Sequence, residues 1–244
     1  MGQEVIRRAS TVALRVSGRV WTASATPGGH APAVVDFSIA MLRCRPMATP
    51  LSQLSDVIHA RRTVKSFTGQ ALTRATIESL LELARWAPTH RLSEPWRFYA
   101  LEQPAIAALG RYLSSEPQIA QVPDAAKGAA KLAKLLERLP GAGAIIQVTW
   151  VRSPDAAIDL EDHAAASAAI QNLLLAAAAA GLASYWATTA ALIHPLTLRW
   201  CGADPAREGA LGAIWLGYAR ENPAIPPRRP LAERLTYVQA GAPA

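Results

Sequence analysis

The chain has 244 residues, of which 51% are hydrophobic and 18% charged, a globular composition that excludes an intrinsically disordered protein and allows one large domain or two small ones. Its formal charge is +7, but residues 1–46 hold six arginines against Glu4 and Asp36, so +4 lies there and only +3 in the remainder. A duplex binder concentrates Lys and Arg on one folded face, so a nucleic-acid partner is not indicated. The two cysteines, Cys44 and Cys201, form neither a CxxC pair nor a zinc spacing, which favours a reducing cytoplasm over a disulfide framework.

Residues 1–46 show neither helical nor strand periodicity for long, and "TASATPGGHAPA" at 22–33 is loop chemistry. They are expected to form a poorly ordered basic N-terminal extension. No continuous apolar run of a secretory signal opens them. Regular structure begins just after Met47, a natural start position, and residues 47–244 are expected to form one domain.

Within that domain, "PLSQLSDVIHAR" predicts a helix with Leu51, Leu54, Val57 and Ile58 on one stripe. "LTRATIESLLELARWAP" predicts a second, with Thr73 as N-cap and Pro88 as its stop. "WRFYAL" at 96–101 reads as a strand, followed by a short helix over 104–113. An amphipathic helix spans 124–139 with its lysines facing water, and "AIIQVTWV" at 144–151 reads as a buried strand. A long alanine-rich helix covers 159–181, acidic in its first turn and closed by Gly181. Although 164–180 is nearly uncharged, it is not read as a membrane span, because alanine is weakly lipophilic and Gln171 and Asn172 sit at its centre. "LASYWATT" at 182–189 is a strand or turn, 195–201 a short helix, 210–219 a last central strand and 220–244 a proline-rich tail. Strands separated by helices give an α/β or α+β sheet protein.

Common catalytic templates are missing. The sequence has no GxxxxGK[ST], GxSxG or HExxH, and "PGAGA" at 140–144 precedes a strand instead of following one. Asp159, Asp162 and His163 could share a helix face as metal ligands, but an acidic helix N-terminus explains them without a metal.

Two stretches remain. "ARRTVKSF" at 60–67 puts Arg61, Arg62, Thr63 and Lys65 at a helix end. Arginine offers a planar fork of donors matched to phosphate oxygens, and threonine a hydroxyl for the same atoms. A solvated basic helix end would explain the run equally. "RWAPTHRLSEPWRF" at 85–98 has two X-Pro steps that force a stiff, extended connection flanked by aromatic surface. Such a segment suits the edge of a flat ligand, or is simply a well-packed loop.

In their order, "RRTVKSF", the helix ending in Ala-Pro, and "SEPWRF" resemble the start of the nitroreductase family of flavin enzymes, most of all its short members. "GLASYW" at 181–186 is similar to the family's later Gly-Leu-x-x-x-Trp, and the resemblance covers about 51–235. It implies an α+β fold with a central mixed or antiparallel sheet flanked by helices, in an intertwined homodimer with flavin mononucleotide (FMN) at the interface. It further implies that Arg61, Arg62 and Thr63 hold the ribityl phosphate, with Thr63 where serine is usual, and that Lys65 approaches the ring or ribityl chain. Trp86, Pro88, Thr89 and His90 would border the isoalloxazine ring from the partner subunit. Trp186, Ala187 and Thr188 would run past its other edge, and Arg229, or its neighbour Arg228, would close on the phosphate. The sequence departs from the family at Trp86, where short relatives can carry a basic residue, and in the 46-residue extension.

The implied activity is an NAD(P)H-dependent oxidoreductase that reduces a flat aromatic acceptor, nitroaromatic or quinone, by a ping-pong cycle. FMN carries the chemistry, so no catalytic side chain and no metal are implied. Enone reduction, dehalogenation or a biosynthetic dehydrogenation would use the same flavin site. A non-enzymatic scaffold with a basic tail is the alternative from another class.

Overall fold

The computed structural model describes residues 12–16, 19–23, 51–120, 124–221 and 223–238, and the chain divides into two units, Met1–Ala48 and Thr49–Ala244. In the first unit, β1 (Val12–Val16) and β2 (Arg19–Ala23) pair antiparallel, with Val16 opposite Arg19. The sequence reading gave these two strands no place. The rest of the expected extension lies outside the described residues, as does Cys44.

The second unit is built on a four-stranded sheet in the order β3-β4-β6-β5. These strands are β3 (Trp96–Leu101), β4 (Ala144–Val151), β5 (Ala183–Ala187) and β6 (Glu208–Gly217), and every pairing is antiparallel. Helices α1 (Leu51–Ala60), α2 (Arg74–Ala84), α3 (Gln103–Ser115), α4 (Ala125–Arg138) and α5 (Ala156–Ala179) surround it, with the short α6 (Ala190–Ile193) and α7 (Pro195–Trp200) between β5 and β6. The fold is α+β, as the sequence led one to expect.

Residue alternation along the central strands builds two cores. On one face Ile146, Val148, Ile214 and Leu216 pack with Ile77 and Leu80 of α2 and with Ile170 and Leu173 of α5. On the other, Ile145, Ala213 and Trp215 pack with Ile106 and Leu109 of α3, Leu135 of α4 and Leu192 of α6. Each fully buried Leu or Ile contributes about 1.5–3 kcal/mol from surface removed from water.

The helix ends follow local chemistry. Thr73 caps α2 by accepting from Thr76 N–H, and Asp124 caps α4 by accepting from Lys127 N–H. α5 begins at Ala156, three residues before the expected 159, because Asp155 accepts from the N–H groups of Ala157 and Ile158. It ends where Gly181, at φ +71°, lets Leu182 N–H reach Ala177 O at 2.8 Å and its own N–H reach Ala178 O at 3.1 Å, a Schellman closure. Among the described residues no helix is long and apolar enough to cross a membrane.

A bulge and an open helix face bear directly on function. The β4–β6 register shifts between Val148 and Thr149, leaving Leu211 as an extra residue beside Gly212 at φ +123°. The bulge frees Leu211 O to accept the Trp186 indole N–H at 2.8 Å. In addition, α1 buries none of its residues in this unit, and its expected stripe is open, with Leu51 81% and Ile58 46% exposed.

Candidate functional site

Segment 61–68 is pinned to Ser184 of β5 and to the residues that follow β6. Val64 N–H donates to Ser184 O at 3.0 Å, and Thr63 forms an isolated parallel bridge with Ser184. Thr68 N–H donates to Tyr218 O at 3.0 Å, while Arg220 donates through its backbone N–H to Ser66 O at 3.1 Å and through Nε to Phe67 O at 2.6 Å. Val64 and Phe67 are buried anchors, so the backbone direction of the intervening polar residues is set.

Arg61 and Arg62 face a cavity of about 340 Å³, walled by Ala178 at the end of α5, by Gly181, Leu182 and Ser184 at the start of β5, and by Pro223 and Ile225 of the tail. Arg62 is half-buried. Its Nη1 donates to Arg61 O at 2.6 Å, but its Nε is buried with no acceptor among the described residues. A buried cationic donor without an acceptor is costly, and the oxygen of a bound anion would relieve it. The residues therefore fit a phosphate, and a merely solvated helix end does not account for the buried Nε.

Lys65 points elsewhere. Its Nζ lies 5.3 Å from the centroid of the Tyr185 ring, towards a second cavity of about 510 Å³ at the far end of β5. Tyr185, Trp186, Thr188 and Trp215 line this space, and Lys131, Lys134 and Arg138 of α4 rim it. Ser184 in the first cavity and Thr188 in the second are about 13 Å apart along an extended strand. Thr63 and Thr188 are exposed, and Ala187 is buried.

The other predicted half stands apart. Trp86 is 68% exposed, with the Arg85 guanidinium 5.6 Å from its ring centre, and Pro88 and His90 are exposed too. The loop is tied to the N-terminal half of α5: Ser93 Oγ donates to Asp162 at 2.6 Å, and His90 Nδ1 lies 3.8 Å from Glu161. Thr89 Oγ1 bonds Ser93 Oγ at 2.9 Å and accepts Glu94 N–H at 3.2 Å. Three non-glycine residues here, Arg91, Leu92 and Glu94, have φ of +51°, +55° and +41°. Glu161 and Ala178 are separated by about 25 Å along the helix. The two halves of the predicted site are thus not brought together within one chain. Arg228 and Arg229 are exposed and make no hydrogen bond or ion pair among the described residues, so the tail meets the first cavity through Pro223 and Ile225 instead.

The acidic turn of α5 is engaged residue by residue. Asp159 accepts from Ser153 N–H at 3.0 Å and from the Trp150 indole at 3.1 Å, contacts that hold its carboxyl below the usual range. His163 meets the Trp150 ring edge-on at 4.8 Å. Beyond α5, burial pushes the Cys201 thiol up to about 11.

The α4 lysines are exposed, as the sequence reading expected; what it did not show is that Lys131 and Lys134 also rim a cavity floored by Tyr185 and Trp215. The spacing 131, 134, 138 was the available signal, since it lines up one side of a helix.

The family model described as "Nitroreductase family" matches residues 58–218. A Bacillus subtilis (strain 168) protein, YfhC, named as a candidate NAD(P)H nitroreductase, is 29% identical over 187 residues, 76% of this chain and 94% of its own. A solved nitroreductase-like protein from Bacillus cereus is 26% identical with a TM-score of 0.67, over 77% of this chain and 96% of that one. A Desulfovibrio desulfuricans relative, titled a nitroreductase and solved in complex with FMN, is 27% identical with a TM-score of 0.58, over 77% and 97%. With the match spanning the sheet, α5 and the cationic segment alike, the chain belongs to the nitroreductase family.

Proposed function

We propose that the protein is an FMN-dependent oxidoreductase that uses NAD(P)H to reduce a flat aromatic acceptor, nitroaromatic or quinone in type, by a ping-pong mechanism, and that it works as a homodimer with each site made from both chains. The observation that carries the reading is the partnerless, buried Nε of Arg62 in a cavity beside Ser184, in a family whose Desulfovibrio relative binds FMN. Arg61, Arg62 and the Thr63 hydroxyl hold the phosphate. Arg229 of the tail, or Arg228 beside it, closes on the same group once the tail is packed in the dimer.

When bound, FMN supplies the hydride and electron transfer, so the chain needs no acid–base pair of its own. The residues bind, orient and exclude water. Lys65, directed along β5, puts positive charge by the ring edge where negative charge develops. Trp186 is fixed by its bond to Leu211 O, and this steadies the Ala187–Thr188 backbone that runs past the ring. Trp86, Pro88, Thr89 and His90 border the ring from the partner chain, because their separation of about 25 Å from the arginines along α5 prevents them from doing so in their own. The uncovered stripe of α1 is part of the surface the partner covers.

One experiment decides this. The purified protein, reconstituted with FMN, should show flavin absorbance that bleaches anaerobically with NADH or NADPH and returns with a nitroaromatic or quinone. Protein that stays colourless after reconstitution refutes it.

A further inference from the structure

We propose that the second cavity selects an acceptor that is anionic as well as flat, with Lys131, Lys134 and Arg138 as the residues that recognise its acidic group. The proposal rests on the flavin reading and adds a substrate class to it.

Three observations converge. The cavity has an aromatic floor, Tyr185 and Trp215, wide enough at about 510 Å³ for a ring-bearing ligand. Trp215 is buried, and its indole N–H has no acceptor among the described residues. The rim is cationic: among the described residues no carboxylate lies within ion-pair distance of Lys131, Lys134 or Arg138, whereas Lys127, one turn earlier on α4, is paired with Asp124 at 3.1 Å, and Asp124 feels Lys131 only at longer range. Lys131, Lys134 and Arg138 recur at three- and four-residue intervals, so they share one side of α4, next to buried Leu135, which also lines the cavity.

The cofactor's own phosphate does not account for this charge. The arginines of the first cavity serve it in the reading above, and neither of them lines the second. Three unpaired cations over an aromatic floor suit a carboxylated or otherwise acidic arene. Thr188 lies in the same cavity, so such a ligand sits against the segment proposed to line the flavin.

The test compares 4-nitrobenzoate with its neutral analogue 4-nitrobenzamide in equilibrium binding to the protein and to the K131Q/K134Q/R138Q variant. The wild type should prefer the anion, and the preference should shrink with salt. The variant should bind 4-nitrobenzoate roughly tenfold more weakly with little change for 4-nitrobenzamide, as expected for three partly screened charge contacts. Equal weakening of both ligands, or no change in either, would overturn the proposal. Flavin absorbance is recorded on the same samples. Loss of flavin in the wild type refutes the oxidoreductase reading, while discrimination between the two nitroarenes separately decides the rim.

Discussion

Arg62 and His90 stand at opposite ends of one helix: Arg62 lines a cavity with Ala178 and Gly181, and His90 Nδ1 lies 3.8 Å from Glu161. If both serve one flavin, they must come from different chains. Co-expression of R62A with P88G/H90A tests this. Each homodimer should bind FMN poorly. Mixed dimers carry both lesions at one interface site and none at the other, so about half of their sites should recover full affinity. No recovery by fluorescence titration would place the halves in one chain.

Arg62→Ala should weaken FMN binding by about 2–3 kcal/mol, roughly 30- to 150-fold, the usual worth of a charge-assisted contact made in a buried site. The flavin-free protein should melt no lower than the wild type, because the change also removes a buried donor that lacks an acceptor. Arg62→Lys should fall between, since lysine keeps the charge but not the fork. Equal loss of melting temperature with and without FMN would show that Arg62 is structural.

Gly212→Ala should cost about 3 kcal/mol or more in urea unfolding, by combined strain and overpacking. A Cβ there would lie 2.5 Å from Ala187 O and 2.9 Å from Trp186 Nε1, at a φ of +123° that side chains rarely adopt. The bond from Trp186 to Leu211 O should break with it, giving a red-shifted tryptophan emission. A fully stable variant with unchanged emission would contradict the bulge geometry.

Tyr99 ties β3 to β6. Its hydroxyl lies 2.9 Å from both oxygens of Glu208, which also takes the Thr149 hydroxyl, and burial together with this carboxylate pushes the phenol up to about 12. The folded state therefore holds a proton that the unfolded chain releases near pH 10. Stability from this group is complete below pH 10 and is lost as pH rises through about 12. Tyr99→Phe should flatten that alkaline decline and cost about 1–2 kcal/mol at neutral pH. Parallel declines in both proteins would assign it to other groups.

Much of this architecture was legible because it is written in local patterns. α2, α4 and β4 follow their apolar periods, and Thr73, Asp124 and Gly181 act where cap chemistry requires. The start of α5 is misplaced by three residues because the cluster from Asp159 to Asp162 looks like a first turn, whereas Asp155 does the capping. α6, four residues long, is too short to display a period. At the site, Arg61 and Arg62 were conspicuous by residue type. The α4 rim and the distance between half-sites were not, because both arise from how remote segments pack.

The left-handed backbone at Arg91, Leu92 and Glu94 has a consequence for design. Each such residue costs of order 1–3 kcal/mol, and the bonds among Thr89, Ser93 and Asp162 hold the shape against that cost. The loop is thus rigid before anything docks on it, and little entropy remains to be lost on assembly. Glycine at these positions would relax the isolated chain yet loosen the surface it presents, so a more stable protein should emerge as a poorer partner.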